Sequence, residues 1–220
     1  MQTNVSNARR ITILIGLALT LIIPLVPLVP GGRDLMHIPG SDPLMGREPF
    51  WWGLFAIVLL YILVVERKSL ASIGLHRPNW KTFSVGVGAA AVIGGFVGLV
   101  VTFGFPLLHL HQNADAIKKL TDMPYWFRFA IVVRAAVMEE TLFRGYGIER
   151  LQELTGSRFI AGALTLAAFT IAHLSYWGWA QVLIAASAGL VLTLLYLWRR
   201  DLGTNMVAHF VVDGVSLLLR

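Results

Sequence analysis

Apolar runs long enough to cross a bilayer follow one another along this chain, and no other feature limits its fold as strongly. We read them at about 11–30, 49–65, 83–107, 127–148, 158–174, 178–198 and 203–219. Each reaches or nearly reaches the roughly 20 residues that cross a hydrocarbon core. Only 14% of the residues are charged, against about 25% in soluble domains. The reading is an all-α polytopic transmembrane helix bundle of seven or eight spans. It forms one domain over residues 1–220, with residues 127–219 as the core that carries the polar motifs.

Three details bear on the span count. The first run follows Arg9 and Arg10 and competes with a signal peptide. Its apolar core is long and ends in PLVPLVPGG without a small-x-small cleavage pattern, so we read an anchor helix, irregular near Pro24, Pro27 and Pro30. The 178–198 run contains Gly178 and Gly189 and forms either one helix or two halves. The glycine-rich third run, GVGAAAVIGGFVGLV, reads as a close-packing face.

The net charge of +6 sits in short connections between runs, with no Lys/Arg block long enough to track a phosphate backbone. Nucleic acid is therefore not an expected partner, and membrane lipid is. Arg9, Arg10, Arg67, Lys68, Arg77, Lys81, Arg144, Arg150, Arg158, Arg199 and Arg200 fall on or near one side. Arg33, Arg47, Lys118, Lys119, Arg128 and Arg220 fall on the other. By the positive-inside rule the N-terminus is cytoplasmic, with a bacterial cytoplasmic membrane the expected location. The chain has no cysteine, which removes disulfides, thiolate nucleophiles and thiolate metal sites. His37, His76, His109 and His111 lie in connections, where a solvated loop is the expected setting.

Against this background the run FRFAIVVRAAVMEETLFRGYGI stands apart, because Arg134, Glu139, Glu140 and Arg144 interrupt it. A charge at the centre of a membrane helix costs about 2.5–3.5 kcal/mol on insertion scales, so such residues point to a functional site. Glu140 and Arg144 are four apart and share a helix face, whereas Glu139 points about 100° away. One carboxylate is thus paired and the other left poised as a general base. His173 lies one turn after Phe169 in AAFTIAHLSYW, and His209 and Asp213 are four apart in TNMVAHFVVDGVSLLL. A lone membrane histidine more often bonds a neighbouring helix than catalyses. The combination with an unpaired glutamate favours a site.

EETLFR resembles the Glu-Glu-x-x-x-Arg motif of the CAAX protease and bacteriocin-processing (Abi) family of intramembrane glutamate endopeptidases. FTIAH resembles its Phe-x-x-x-His motif, and HFVVD its final His-x-x-x-Asn/Asp motif. Order and spacing fit across roughly residues 134–217. SLASIGLHRPNW also looks like the basic connection before the core in bacterial members. The resemblance implies hydrolysis of a peptide bond by a Glu/His-activated water, with no cofactor. By carry-over Glu139 is the general base with His173, Glu140 and Arg144 support it, and His209 with Asp213 stabilises the oxyanion. Asp213 stands where eukaryotic relatives have Asn. An ionised Asp cannot donate to an oxyanion, so we read Asp213 as holding His209 in its imidazolium form, which donates instead. The expected substrate is a peptide or protein, with or without a lipid.

Simple depth bookkeeping at about 1.5 Å per residue puts Glu139 near mid-span, His209 nearer the cytoplasmic end and His173 nearer the outer end. Straight, perpendicular helices would not bring them together. Other readings are a zinc-dependent intramembrane protease using the two Glu and two His, a proton-coupled transporter, and a non-enzymatic scaffold or immunity protein. No His-Glu-x-x-His pair is present for the first, and no inverted repeat for the second.

Overall fold

A computed structural model describes residues 6–219, the side chain of Tyr176 excepted. Arg220, used above for orientation, lies outside the described residues. The chain forms α1 (Asn7–Leu28), α2 (Met45–Val65), α3 (Trp80–Leu107) and a short surface helix α4 (Ala114–Thr121). These are followed by α5 (residues 125–155), α6 (Arg158–Ala172), α7 (Trp179–Arg199) and α8 (Leu202–Leu218). No strand occurs among the described residues.

The expected all-α membrane bundle is therefore observed. Each predicted run corresponds to one long helix, and 178–198 is a single helix rather than two halves. By length and composition, α1, α2, α3 and α7 are suited to crossing a membrane, while α6 and α8 are apolar but shorter. The connection between α3 and α5 contains α4, which tucks Leu120 inward.

Local chemistry sets the ends. Ser6, Ser157 and Asp201 accept from backbone N–H groups at the starts of α1, α6 and α8, satisfying donors the first turn leaves unpaired. Asn79 and Thr82 form a capping box at α3. Pro24 and Pro27 tighten the end of α1 into a 3₁₀ stretch, Ile23–Leu28. Gly156 turns α5 into α6 with φ of 72°, a left-handed conformation that glycine adopts without a Cβ penalty.

α5 is the central helix. Every residue from Glu140 to Ile148 is buried, which requires neighbours on all sides. α8 packs between α5 and α3, and α7 lies on α6 and α3. Gly16 of α1 lets Tyr146 approach so closely that a Cβ there would lie 1.7 Å from its hydroxyl. The exposed faces of α1, α2 and α3 carry Leu14, Ile57, Leu60, Val87, Val92 and Leu99, a surface suited to lipid.

The glycine-rich run of α3 departs from expectation. Thr82, Gly86, Ala90 and Ile93 form its buried stripe, and Gly86 alone of the run's glycines meets another helix, at Val207. Gly88, Gly94, Gly95 and Gly98 meet nothing within 4 Å. Helical periodicity puts the first set toward α8 and turns most of the glycines outward.

Candidate active site

The central part of α5, Ala135–Ile148, is a π-helix. Its hydrogen bonds run from i to i+5, a widened form that concentrates at functional sites. Glycines make the tight packing around it possible. A Cβ at Gly145 would lie 3.0 Å from the Ile73 carbonyl oxygen, and one at Gly147 2.8 Å from Thr165 Cγ2.

The two adjacent glutamates face different neighbours. Glu140 is fully buried and held by three partners. Arg144 Nη1 donates to its Oε1 at 2.9 Å, His209 Nδ1 lies 2.8 Å from the same oxygen, and Asn205 Nδ2 donates to Oε2 at 3.0 Å. Arg144 Nη2 also donates to the Gly189 carbonyl at 3.2 Å, and Asn205 to the Leu192 carbonyl at 2.8 Å. A buried charge is tolerated when it is paired and hydrogen-bonded, and Glu140 has a guanidinium, an imidazole and an amide around it. The far nitrogen of His209, Nε2, lies 3.4 Å from Asp213 Oδ2, long for a good hydrogen bond.

Glu139 stands in the opposite condition. Its Oε2 is buried without a hydrogen-bond partner and lies 3.9 Å from His173 Nε2. His173 caps the C-terminus of α6, and its Nδ1 is 2.8 Å from the Phe169 carbonyl oxygen. A carbonyl only accepts, so Nδ1 carries a proton, and the neutral tautomer this contact selects has its lone pair at Nε2. Two acceptors thus confront each other across a cavity of about 130 Å³, whose walls include Met138, Leu142, Phe143, Ala172, Trp51 and Arg134.

Phe169 joins the two halves. Its ring centroid is 4.1 Å from the Arg144 guanidinium carbon and 4.6 Å from the His173 ring, so one aromatic ring supports Arg144 by cation–π attraction and His173 by ring packing. The six predicted residues therefore appear as two clusters flanking α5. Glu139 and His173 line the cavity. Glu140, Arg144, His209 and Asp213 form an inner cluster on the α8 side, and His209 is not part of the cavity wall.

Sequence reasoning missed Asn205. It precedes His209 by four residues and Asp213 by eight, so one polar stripe on α8 was the available signal. It also missed a second ionic cluster at the basic end. There Glu66 receives Arg150 Nε at 2.9 Å and the Tyr146 hydroxyl at 2.9 Å, with Arg9 Nη1 at 3.2 Å. Among the described residues no group of three or more His, Asp or Glu converges as a metal-binding set. His37, His76, His109 and His111 lie in connections between the long helices.

The all-helical bundle thus places a carboxylate and an imidazole, Glu139 and His173, at one cavity. Residues 121–215 match the family model described as Rce1-like: Type II CAAX prenyl endopeptidase Rce1-like. The resemblance read from the three motifs is borne out over that segment, and it supports intramembrane proteolysis of protein or peptide substrates. No curated protein and no solved structure gives a significant match.

Proposed function

We propose that this chain is an intramembrane endopeptidase in which Glu139 and His173 together activate a water. One observation carries the reading: two unshared acceptors, Glu139 Oε2 and His173 Nε2, 3.9 Å apart beside a cavity. A water about 2.8 Å from each, a normal hydrogen-bond length, would subtend about 90° at its oxygen. That is close to the angle between water's two O–H bonds, so one molecule satisfies both acceptors.

The water oxygen attacks the peptide carbonyl carbon while Glu139 takes its proton and His173 holds its second hydrogen. Glu139 then returns that proton to the amide nitrogen as the C–N bond breaks, leaving a carboxylic acid and an amine. His209 with Asp213 is the candidate oxyanion donor, a role that requires the substrate carbonyl to extend from the cavity to the inner cluster, because His209 does not line the cavity. Nδ1 of His209 faces Glu140, so donation from Nε2 requires the imidazolium. The charges of Glu140, Arg144, Asp213 and that imidazolium sum to zero. The long Asp213 contact leaves the Nε2 proton available to turn toward substrate. Glu140, Arg144 and Asn205 hold the inner cluster and, through Phe169, the His173 ring.

The substrate is a peptide or protein segment, lipid-modified or not, and the N-terminus is cytoplasmic in a bacterial plasma membrane. The zinc alternative requires three convergent ligands, and Glu139–His173 and Glu140–His209 diverge from α5. In membranes containing a cleaved reporter, Glu139→Gln and Asp213→Asn are each compared with wild type at equal abundance. Loss of a general base costs about 10²–10⁴ in rate, and Asp213→Asn lowers the rate by weakening the imidazolium. Wild-type cleavage by the Glu139 variant removes the water mechanism. Wild-type cleavage by the Asp213 variant removes the imidazolium donor alone.

A further inference from the structure

We infer that the cavity takes its substrate from the extracytoplasmic side of the membrane, so that the peptide cleaved is a segment exposed at the outer leaflet. The inference rests on the proteolytic reading for the word substrate, but the side of access is independent of it.

The cavity lies away from the basic end of the bundle. Its wall includes Pro24, late in α1, Trp51, early in α2, and His173 and Trp177, at and beyond the end of α6. All four positions belong to the end opposite Arg9, Arg67, Lys68, Arg77 and Arg158. Glu139 and His173 keep side-chain exposures of 17% and 20%, so the cavity communicates with the exterior.

The basic end is closed in successive layers. Beneath Glu139, Leu142 and Phe143 are buried. One turn further, Tyr146 lodges against Gly16 and hydrogen-bonds Glu66. Below that, Glu66, whose side chain has no exposure, is gripped by Arg150 and Arg9, and Arg9 also forms a two-pronged pair with Glu153 at 2.8 and 2.9 Å. On the other side of α5 the Tyr196 hydroxyl sits 3.0 Å from the Ile73 carbonyl oxygen and 3.1 Å from Glu149, and Arg200 covers Glu149. A substrate entering from this end has to break this ion cluster, whose central carboxylate, Glu66, is fully buried.

The charge asymmetry then assigns the two ends. Cations in short connections mark the cytoplasmic side, which is the sealed one. Exposed aromatic rings mark both boundaries, Trp52, Tyr125, Trp126 and Trp179 at the open end and Trp80 and Trp198 at the basic end, so the cations alone tell the two ends apart.

The absence of cysteine makes the test direct. Single cysteines are placed in the cavity wall (Ala172→Cys), in an open-end connection (Leu35→Cys) and in a basic-end connection (Arg77→Cys). Right-side-out and inside-out membrane vesicles are then treated with a membrane-impermeant charged thiol reagent. Labelling of Ala172→Cys and Leu35→Cys from the outside, and of Arg77→Cys only from the inside, is the expected result. Labelling of Arg77→Cys from the outside inverts the chain and overturns the inference. Labelling of Ala172→Cys from the inside alone, or from neither side while both connection cysteines react as expected, overturns it as well. None of these readouts needs hydrolysis, so a failed side assignment and a failed protease assignment are separately visible.

Discussion

Replacing Asn205 probes the inner cluster where its bookkeeping is tightest. Its amide donates to Glu140 Oε2 at 3.0 Å and to the Leu192 carbonyl at 2.8 Å, and both acceptors lie in the interior. Membrane side-chain hydrogen bonds average about 0.6 kcal/mol, with a maximum near 1.7. Here one acceptor is a buried carboxylate, and bonds to charged groups contribute about 1.5–3 kcal/mol. Asn205→Ala leaves Oε2 without its donor, so the expected loss is about 1.5–3 kcal/mol. Asn205→Asp is the sharper change, because it sets a second carboxylate against Glu140 without a compensating cation. Its loss should exceed that of the alanine variant and reach about 3–5 kcal/mol, the range for an uncompensated buried charge. Equilibrium unfolding in mixed detergent micelles near neutral pH measures both. An aspartate variant as stable as the alanine variant would refute the view that Glu140 is a buried anion held by Asn205.

Three further outcomes follow from other parts of the bundle. Gly86→Ala should destabilise by about 1–3 kcal/mol, because its Cβ would meet Val207 at 2.7 Å and the Thr204 carbonyl at 3.0 Å; Gly95→Ala, in open space, should lose nothing and gain up to about 1 kcal/mol of helix propensity. The hydrogen bond from Arg9 holds the Glu153 carboxyl below its ordinary value; for Asp201, burial pushes up but hydrogen bonds from Thr204 and Thr82 outweigh it and bring it down. A lowered carboxylate stabilises the fold above its unfolded value, about 3.9–4.3, and that contribution is lost as pH falls through the folded value; thermal unfolding below about pH 4 should therefore show a smaller acid loss in Glu153→Gln than in wild type. His173→Phe keeps the ring packing on Phe169 but removes Nε2, so cleavage should fall by about 10²-fold or more with little change in unfolding; an unfolding loss matching the activity loss would assign His173 a structural role instead.

The helices are legible because each apolar run folds as one helix, and the glutamate pair because charge is rare inside such runs. Boundaries are less so. The apolar pattern of α5 ends near 148, whereas the helix continues to Thr155, since Glu149, Arg150 and Glu153 look like a loop until their partners Tyr196, Arg200, Glu66 and Arg9 are seen. Those partners are remote in sequence, and no local spacing announces them. The same holds for Asn205, which resembles an ordinary early-helix polar residue until Glu140 stands opposite. The depth conflict also has a geometric origin. His173 and His209 approach adjacent residues of α5 from different sides, His173 at the end of α6 against Glu139 and His209 part-way along α8 against Glu140. The outward-facing glycines of α3 show the limit of composition: small residues permit close packing, but helical phase decides whether a neighbour is there.

The most direct measurement compares newly formed protein termini across whole membranes containing wild type or Glu139→Gln at equal abundance, with and without a strong chelator. The account predicts a set of termini present with wild type, absent with Glu139→Gln, and unchanged by chelation. The same termini appearing with both proteins, or disappearing on chelation, would contradict it.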